Sequence, residues 1–449
     1  MNPTMKPFLM PLKVAASSLA VGLLIASLAF PAMAQAPANI TPQGDVDPLP
    51  RASAESVGVS SERLDRLGAL LQGDIESGRL PGAVVAVARR GKLIYYRAYG
   101  YLDPVAKTRM PRNAIFAIAA MTKPMVAVTA LSLVEQGRVL IDDPVTKYLP
   151  SLARMPVALP AKDPTDMSLQ KTVPAARPPS IQDLLRHTAG MTYGNRGESE
   201  LYKAYPQSSN AAARAMNGDE FIAKLATLPL YSQPGSKWDY GLSFDVLGLT
   251  VEKVSGQKLG AFMNDRLFKP LGMGDTGFVV PADKASRFAR ALAADPTTTQ
   301  AQSLPDMMMP PLFDCGGGCA VSTAADYLRF AQMLLNKGAL GDKQILSKAT
   351  VEYMTADQLG PDIDESVLRH YPNINGYGFG LGVAVRRSTG GPAVMGTPGS
   401  FTWAGSNGTN FWVDPKEELA VVFMAHTPGA LAFHYRQIVN TLVLQSLVN

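Results

Sequence analysis

The residue that could do chemistry is Lys123. Residues 115 to 137 open as Ile-Phe-Ala-Ile-Ala-Ala-Met-Thr-Lys-Pro and stay apolar to Gly137. From Met121 to Val134 the apolar positions occupy nearly every side of a helical wheel, which predicts a helix buried all round. Gly137 supplies the stop, and Pro124 falls near the start, where a missing N–H costs little. A charge beside a buried helix is rarely placed there for packing. A lysine one turn below a hydroxyl can take its proton and make it a nucleophile. Here the positions three and four residues earlier are Ala120 and Ala119. Thr122 is adjacent in sequence but points about 100° away around the helix. Lys123 therefore has no side-chain hydroxyl one turn before it on its own face.

Two later stretches carry residue types that would complete such a site. Pro234-Gly-Ser-Lys-Trp-Asp-Tyr240-Gly-Leu-Ser-Phe-Asp-Val-Leu-Gly248 places a tyrosine before a helical run. A tyrosine near a lysine can have its pKa lowered and share proton transfer. Taken alone, Tyr240 reads better as a half-buried core tyrosine. The other stretch is Phe401-Thr-Trp403-Ala-Gly405-Ser406-Asn-Gly-Thr-Asn-Phe-Trp412. Ala404-Gly-Ser406-Asn-Gly408 is one residue from a G-x-S-x-G nucleophile elbow, but an elbow needs a helix after it, and a strand is predicted there.

Ala120-Met-Thr-Lys123, Tyr240 and Trp403-Ala-Gly405, in this order, resemble the three motifs of the beta-lactamase-related serine hydrolases. The likeness extends through Lys-Pro-Leu-Gly-Met-Gly-Asp-Thr-Gly-Phe278 and covers roughly residues 55 to 445. Within that superfamily, which includes class C beta-lactamases and penicillin-binding proteins, the chain most resembles the family VIII carboxylesterases. Tyr240 is followed by Gly241 and Leu242, and Trp403 stands where a beta-lactamase has lysine, so groups that hold a β-lactam are missing. The resemblance implies an ester hydrolase acting on short-chain carboxylic esters, with Lys123 and Tyr240 in proton transfer. It places the backbone N–H groups of Ala120 and Ser406 in an oxyanion hole and Trp403 and Gly405 against the substrate. Lys123 and Tyr240 are expected to face each other across a cleft, with Trp403 on the opposite wall. No cofactor and no metal are implied. With Ala120 in place of serine, turnover is expected to be impaired, which leaves two alternatives open: a non-catalytic binder of acyl or peptidoglycan-like ligands, and a beta-lactamase or D,D-peptidase-like enzyme.

The elements that must position these residues are readable in outline. Lys6 and Lys13, the apolar run Val14 to Phe30 and Ala32-Met33-Ala34 read as a secretory signal peptide over residues 1–34, with an uncleaved anchor as the alternative. A loose leader over 35–52 follows. The expected localisation is periplasmic or secreted, without stable membrane insertion after cleavage. A net charge of +5, which falls by two when the signal lysines leave, is too mild to argue for a nucleic-acid partner. His187, His370, His426 and His434 show no metal-ligand spacing. Cys315 and Cys319 enclose three glycines, which suits a small disulfide loop in an exported chain; by the resemblance this loop borders the cleft.

The runs Gly82 to Ala88 and Leu93 to Tyr101 predict a hairpin. Strands are expected again at 377–386, 408–414 and 419–426, and a closing helix over 430–447. Proline-rich residues 150–180 predict a long excursion. The fold class is therefore α/β, with an antiparallel sheet built from both chain ends and flanked by helices. Residues 53–140 and 345–449 would form the α/β domain, and 141–344 an inserted, mainly helical lobe.

Overall fold

The computed structural model describes residues 46–448 apart from 160–164, 167, 169, 170, 372 and 373. The proposed signal peptide lies outside the described residues, as does most of the leader. The leader's end packs: Leu49 is buried, and Pro50 and Ala52 exchange backbone hydrogen bonds with Leu93.

After helix α1 (Ser61–Glu76), capped by Ser60, strands β1 (Gly82–Arg89) and β2 (Lys92–Asp103) form the expected hairpin. Arg90 and Gly91 turn it with positive φ angles of 51° and 71°, the twist a two-residue antiparallel connection requires. A short strand β3 (Thr108–Arg109) extends β2. Helix α2 (Thr122–Glu135) then runs from a 3₁₀ turn at Ala119–Met121. Eleven of its fourteen residues are buried, as its all-round apolar pattern predicts.

The middle of the chain supplies helix α3 (Ser243–Ser255), packed on α2, and helix α4 (Ala324–Leu335), capped by Thr323. Although α4 falls inside the segment read as the helical lobe, it lies on the sheet against β1 and the later strands. The C-terminal third gives β4 (Tyr377–Phe379), β5 (Ala384–Arg386), β6 (Phe401–Ala404), β7 (Asn410–Asp414), β8 (Leu419–Ala425) and helix α5 (Ala430–Leu444). The single strand expected over 377–386 is instead a tight hairpin. Gly382, at φ +89°, turns where a Cβ would meet that of Ala127 at 2.8 Å, so the chain must reverse against α2.

The eight strands form one antiparallel sheet in the order β4-β5-β6-β7-β8-β1-β2-β3, with Val85 opposite Phe423 at the seam between the two chain ends. This is the α/β arrangement the sequence predicts. The face bearing Val84 and Ala86 packs on the core around α2, and the face bearing Val85 and Val87 packs on α1 and α5. Among the described residues, no helix is long and apolar enough to cross a membrane.

The turn after β6 is fastened to the segment before α2. Asn407 Nδ2 donates to Ala117 O at 3.2 Å and Thr409 Oγ1 to Ile118 O at 3.3 Å. Gly405 is there because nothing larger fits: a Cβ would lie 2.3 Å from Ile118 O and 2.4 Å from Thr409 Oγ1. Gly405→Ala is therefore expected to destabilise the protein by about 1–3 kcal/mol, the usual cost of overpacking. An unchanged denaturation midpoint in urea would remove this contact from the account.

Candidate active site

Lys123 is 1% exposed. An ammonium at that depth needs acceptors, and its Nζ finds Gly317 O at 2.6 Å and the Tyr193 hydroxyl at 3.3 Å. Tyr193 OH lies 2.9 Å from Ser209 Oγ, which donates to Asp245 Oδ2 at 2.6 Å. Asp245 closes the circuit by accepting from Gly317 N–H at 2.9 Å. The loop carrying Gly317 is tied off by a disulfide between Cys315 and Cys319, whose Cα atoms are 5.3 Å apart. A Cβ at Gly317 would sit 2.1 Å from Ser209 Oγ, so this glycine is what lets the loop close on the network.

Lys123 and Tyr240 do face each other, as expected, but the ammonium meets the ring. The ammonium lies 4.5 Å from the centroid of the Tyr240 ring, a contact with the face of the ring, while the hydroxyl it meets is that of Tyr193. With no hydroxyl at residue 120, the ammonium takes acceptors from the 315–319 loop and the chain after His187. Nor is the Tyr240 pKa lowered: burial raises it, because a phenolate would be desolvated, and the Trp403 indole opposes the rise only in part. Trp403 is not on the opposite wall. Its ring is 5.4 Å from that of Tyr240, and Tyr371 stacks on it at 6.0 Å. His187 supports this cluster at 4.8 Å from Tyr240, and burial holds it well below the usual histidine pKa, so it is neutral.

The backbone carries the other half of the geometry. Ala119 adopts φ +44°, a left-handed conformation costing on the order of 1 kcal/mol for a residue with a Cβ. Among the described residues, neither the Ala120 N–H nor the Ser406 N–H meets an acceptor outside its own element. Both residues line one cavity of about 650 Å³, together with Lys123, Tyr193, Tyr240, Trp403 and Met307. The fastening of Asn407 and Thr409 to Ala117 and Ile118 holds the turn carrying Ser406 beside the segment carrying Ala120.

The structure gives no support to Ser406 as an elbow nucleophile. It sits in the turn between β6 and β7, with a strand following. Asp414 is engaged by Thr397, and His426 accepts from Ala117 N–H at 3.1 Å, with its other ring nitrogen 3.0 Å from Ala289 O. Neither aspartate nor histidine reaches the serine.

Sequence reasoning missed Tyr193, Ser209 and Asp245. A faint signal existed for Tyr193, three residues beyond His187-Thr-Ala-Gly190, and for Asp245, one and a half helical turns past Tyr240. Ser209 had none. Burial pushes Lys123 down to about 7, opposed by the Asp245 charge, and burial pushes Asp245 up to about 6, opposed by Lys123. The Lys123 side-chain resonances are therefore expected to titrate near neutrality. In Asp245→Asn, loss of the anion should move that titration to lower pH. Selective ¹³C-lysine NMR across pH 5 to 11 reads both, and a Lys123 signal titrating near the ordinary lysine value would contradict the depression by burial.

A family-wide profile described as Beta-lactamase matches residues 67–443. An uncharacterised protein of Mycobacterium tuberculosis is 36% identical over 79% of this chain and 88% of its own length. Esterase EstB of Burkholderia gladioli is 31% identical over 81% of this chain and 90% of its own. Among solved structures, EstCE1, a hydrolase with promiscuous acyltransferase activity, superposes with a TM-score of 0.71 at 26% identity, covering 87% of this chain and 99% of that one. The unliganded simvastatin synthase LovD of Aspergillus terreus has the same fold, with a TM-score of 0.71 at 22% identity over 86% of this chain and 98% of its own. The sheet from both chain ends, the buried lysine helix and these matches agree: the chain belongs to the beta-lactamase family and has a hydrolase fold with esterase relatives.

Proposed function

We propose that this chain is an exported ester-binding member of the family, built for acyl transfer on short-chain carboxylic esters and impaired in turnover by Ala120. One observation carries the reading. Ala120 lines a cavity that also holds Lys123 and Ser406, and among the described residues the N–H groups of Ala120 and Ser406 meet no acceptor outside their own elements. Those N–H groups would stabilise the oxyanion of a tetrahedral intermediate. In its neutral form, which a pKa of about 7 makes accessible, Lys123 would serve as proton acceptor beside Tyr193 and Tyr240, and Trp403 would press on the substrate. Esterase and acyltransferase relatives favour a small ester as ligand.

A second reading has the same observation behind it: with no oxygen at residue 120, the cavity binds acyl ligands without turning them over. Ala120→Ser separates the two. In the catalytic reading it restores a nucleophile one turn from Lys123 and raises aryl-ester hydrolysis by at least about 10³-fold, against the 10⁶ that such a nucleophile can supply. The gain should disappear in Ala120→Ser/Lys123→Ala, and β-lactam hydrolysis should stay feeble because Trp403 replaces a lysine. Initial rates with 4-nitrophenyl acetate and butyrate decide the matter. A folded serine variant that binds esters and stays inert supports the binder, and a parent protein already as active as the variant refutes the role of residue 120.

A further inference from the structure

With no oxygen at residue 120, the cavity still holds a serine hydroxyl joined to a base. Ser208, Ser209, Ser303, Ser400 and Ser406 line it, and of these Ser209 is the one whose hydroxyl donates to a carboxylate. Its Oγ donates to Asp245 Oδ2 at 2.6 Å and lies 2.9 Å from the Tyr193 hydroxyl, which in turn accepts from Lys123 Nζ at 3.3 Å. Completing the Lys123 circuit would need only these hydrogen bonds. The place of Ser209, its base and its neighbour give it more.

Ala119 C and Ser209 Cβ each lie 3.7 Å from the point where a Cβ on Gly318 would stand. Ser209 is therefore close to the peptide that carries the Ala120 N–H, with Gly317 and Gly318 lining the cavity beside it. The base is held in place: Gly317 N–H donates to Asp245 Oδ1 at 2.9 Å, which leaves Oδ2 turned to the serine. Burial lifts the Asp245 carboxyl to about 6, opposed by the Lys123 charge. A base of that strength accepts a proton near neutrality better than an ordinary carboxylate. Asn210, the next residue, also lines the cavity, and its Nδ2 meets a sulfur, Cys319 Sγ at 3.9 Å. Sulfur is a weak acceptor, so this amide is free to turn to a substrate carbonyl oxygen.

We propose that Ser209 is a nucleophile of this cavity, attacking esters with Asp245 as its general base. The Ser209 Oγ lone pair forms a bond to the ester carbonyl carbon while the hydroxyl proton passes to Asp245 Oδ2. The carbonyl π pair moves onto its oxygen and returns as the C–O bond to the alcohol breaks. The departing alkoxide takes the proton from Asp245, and the acyl group stays on Ser209. Water then attacks the acyl carbon by the same route, its proton passing through Asp245 to Ser209 Oγ, so that ester and water become acid and alcohol. The inference rests on the reading of the cavity as an acyl-ester site and adds to it a slow turnover that does not need an oxygen at residue 120.

The test uses the full chain with Ala120 in place. Diisopropyl fluorophosphate phosphorylates an activated serine with loss of fluoride, and peptide mass mapping is expected to place its adduct on Ser209. Ser209→Ala should lower the rate with 4-nitrophenyl acetate at least about tenfold, a small part of what a nucleophile can supply. Ser209→Cys keeps a nucleophilic atom and should hold an acetyl group after mixing with the same ester, a mass that a purely structural role for Ser209 would not produce. Should Ser209→Ala fail to fold, the adduct map of the parent protein decides. An adduct on another residue, or an unchanged rate in folded Ser209→Ala, overturns the proposal. A parent protein that neither takes the label nor turns over esters, while Ala120→Ser does both, overturns it too and leaves the ester reading standing. Inertness of both the parent and Ala120→Ser counts against the proposal and the ester reading together.

Discussion

Burying the Lys123 ammonium is the constraint on which the rest of the site depends. At 1% exposure the group keeps its proton only if fixed dipoles replace water around it. The protein does this from three directions. The disulfide-tied loop turns the Gly317 carbonyl onto it, Tyr193 brings a hydroxyl, and Asp245 supplies opposite charge through the Gly317 peptide and Ser209. Each partner is fixed by a different element, so α2, α3 and the 315–319 loop must be packed together before the lysine can be accommodated. That requirement explains why a helix carrying a charge at its first turn can be apolar on every other side.

The second half of the site is a problem of backbone placement. Ala120 and Ser406, from segments nearly three hundred residues apart, are brought to line one cavity. The sheet does the long-range part, because β8 pairs with β1 in antiparallel register and fixes the C-terminal strands relative to the first hairpin. The short-range part falls to the 405–409 turn, which hydrogen-bonds directly to Ala117 and Ile118. Ala119 at positive φ and Gly405 with no room for a Cβ are the local costs of that junction. The side chain of residue 120 takes part in none of these contacts, so the cavity is assembled around an alanine.

The charges of the cavity are held in two ways. Lys123 and Asp245 shift toward each other, both penalised by burial and each holding the other's charge. Arg436, by contrast, is held by the Gly405 carbonyl and by the face of the Phe433 ring, 5.0 Å from its guanidinium carbon.

Sequence by itself determined the fold class, the buried helix, the hairpin and the family, because these follow from periodicity, turn residues and motif order along the chain. Residue types alone also showed that Ala120 leaves Lys123 without a hydroxyl. What the lysine does instead was decided only by tertiary structure. Its partners Tyr193, Ser209 and Asp245 come from loops and helix starts with no shared spacing, and the 377–386 segment became a hairpin only because α2 stands in its way. Tyr240 shows the difference most clearly. Its motif marked it as part of the site, but whether a cation meets its hydroxyl or its ring depends on a few ångströms of packing. Spacing along a chain fixes which face of an element a residue occupies, whereas hydrogen-bond partners across elements are fixed by the packing between them.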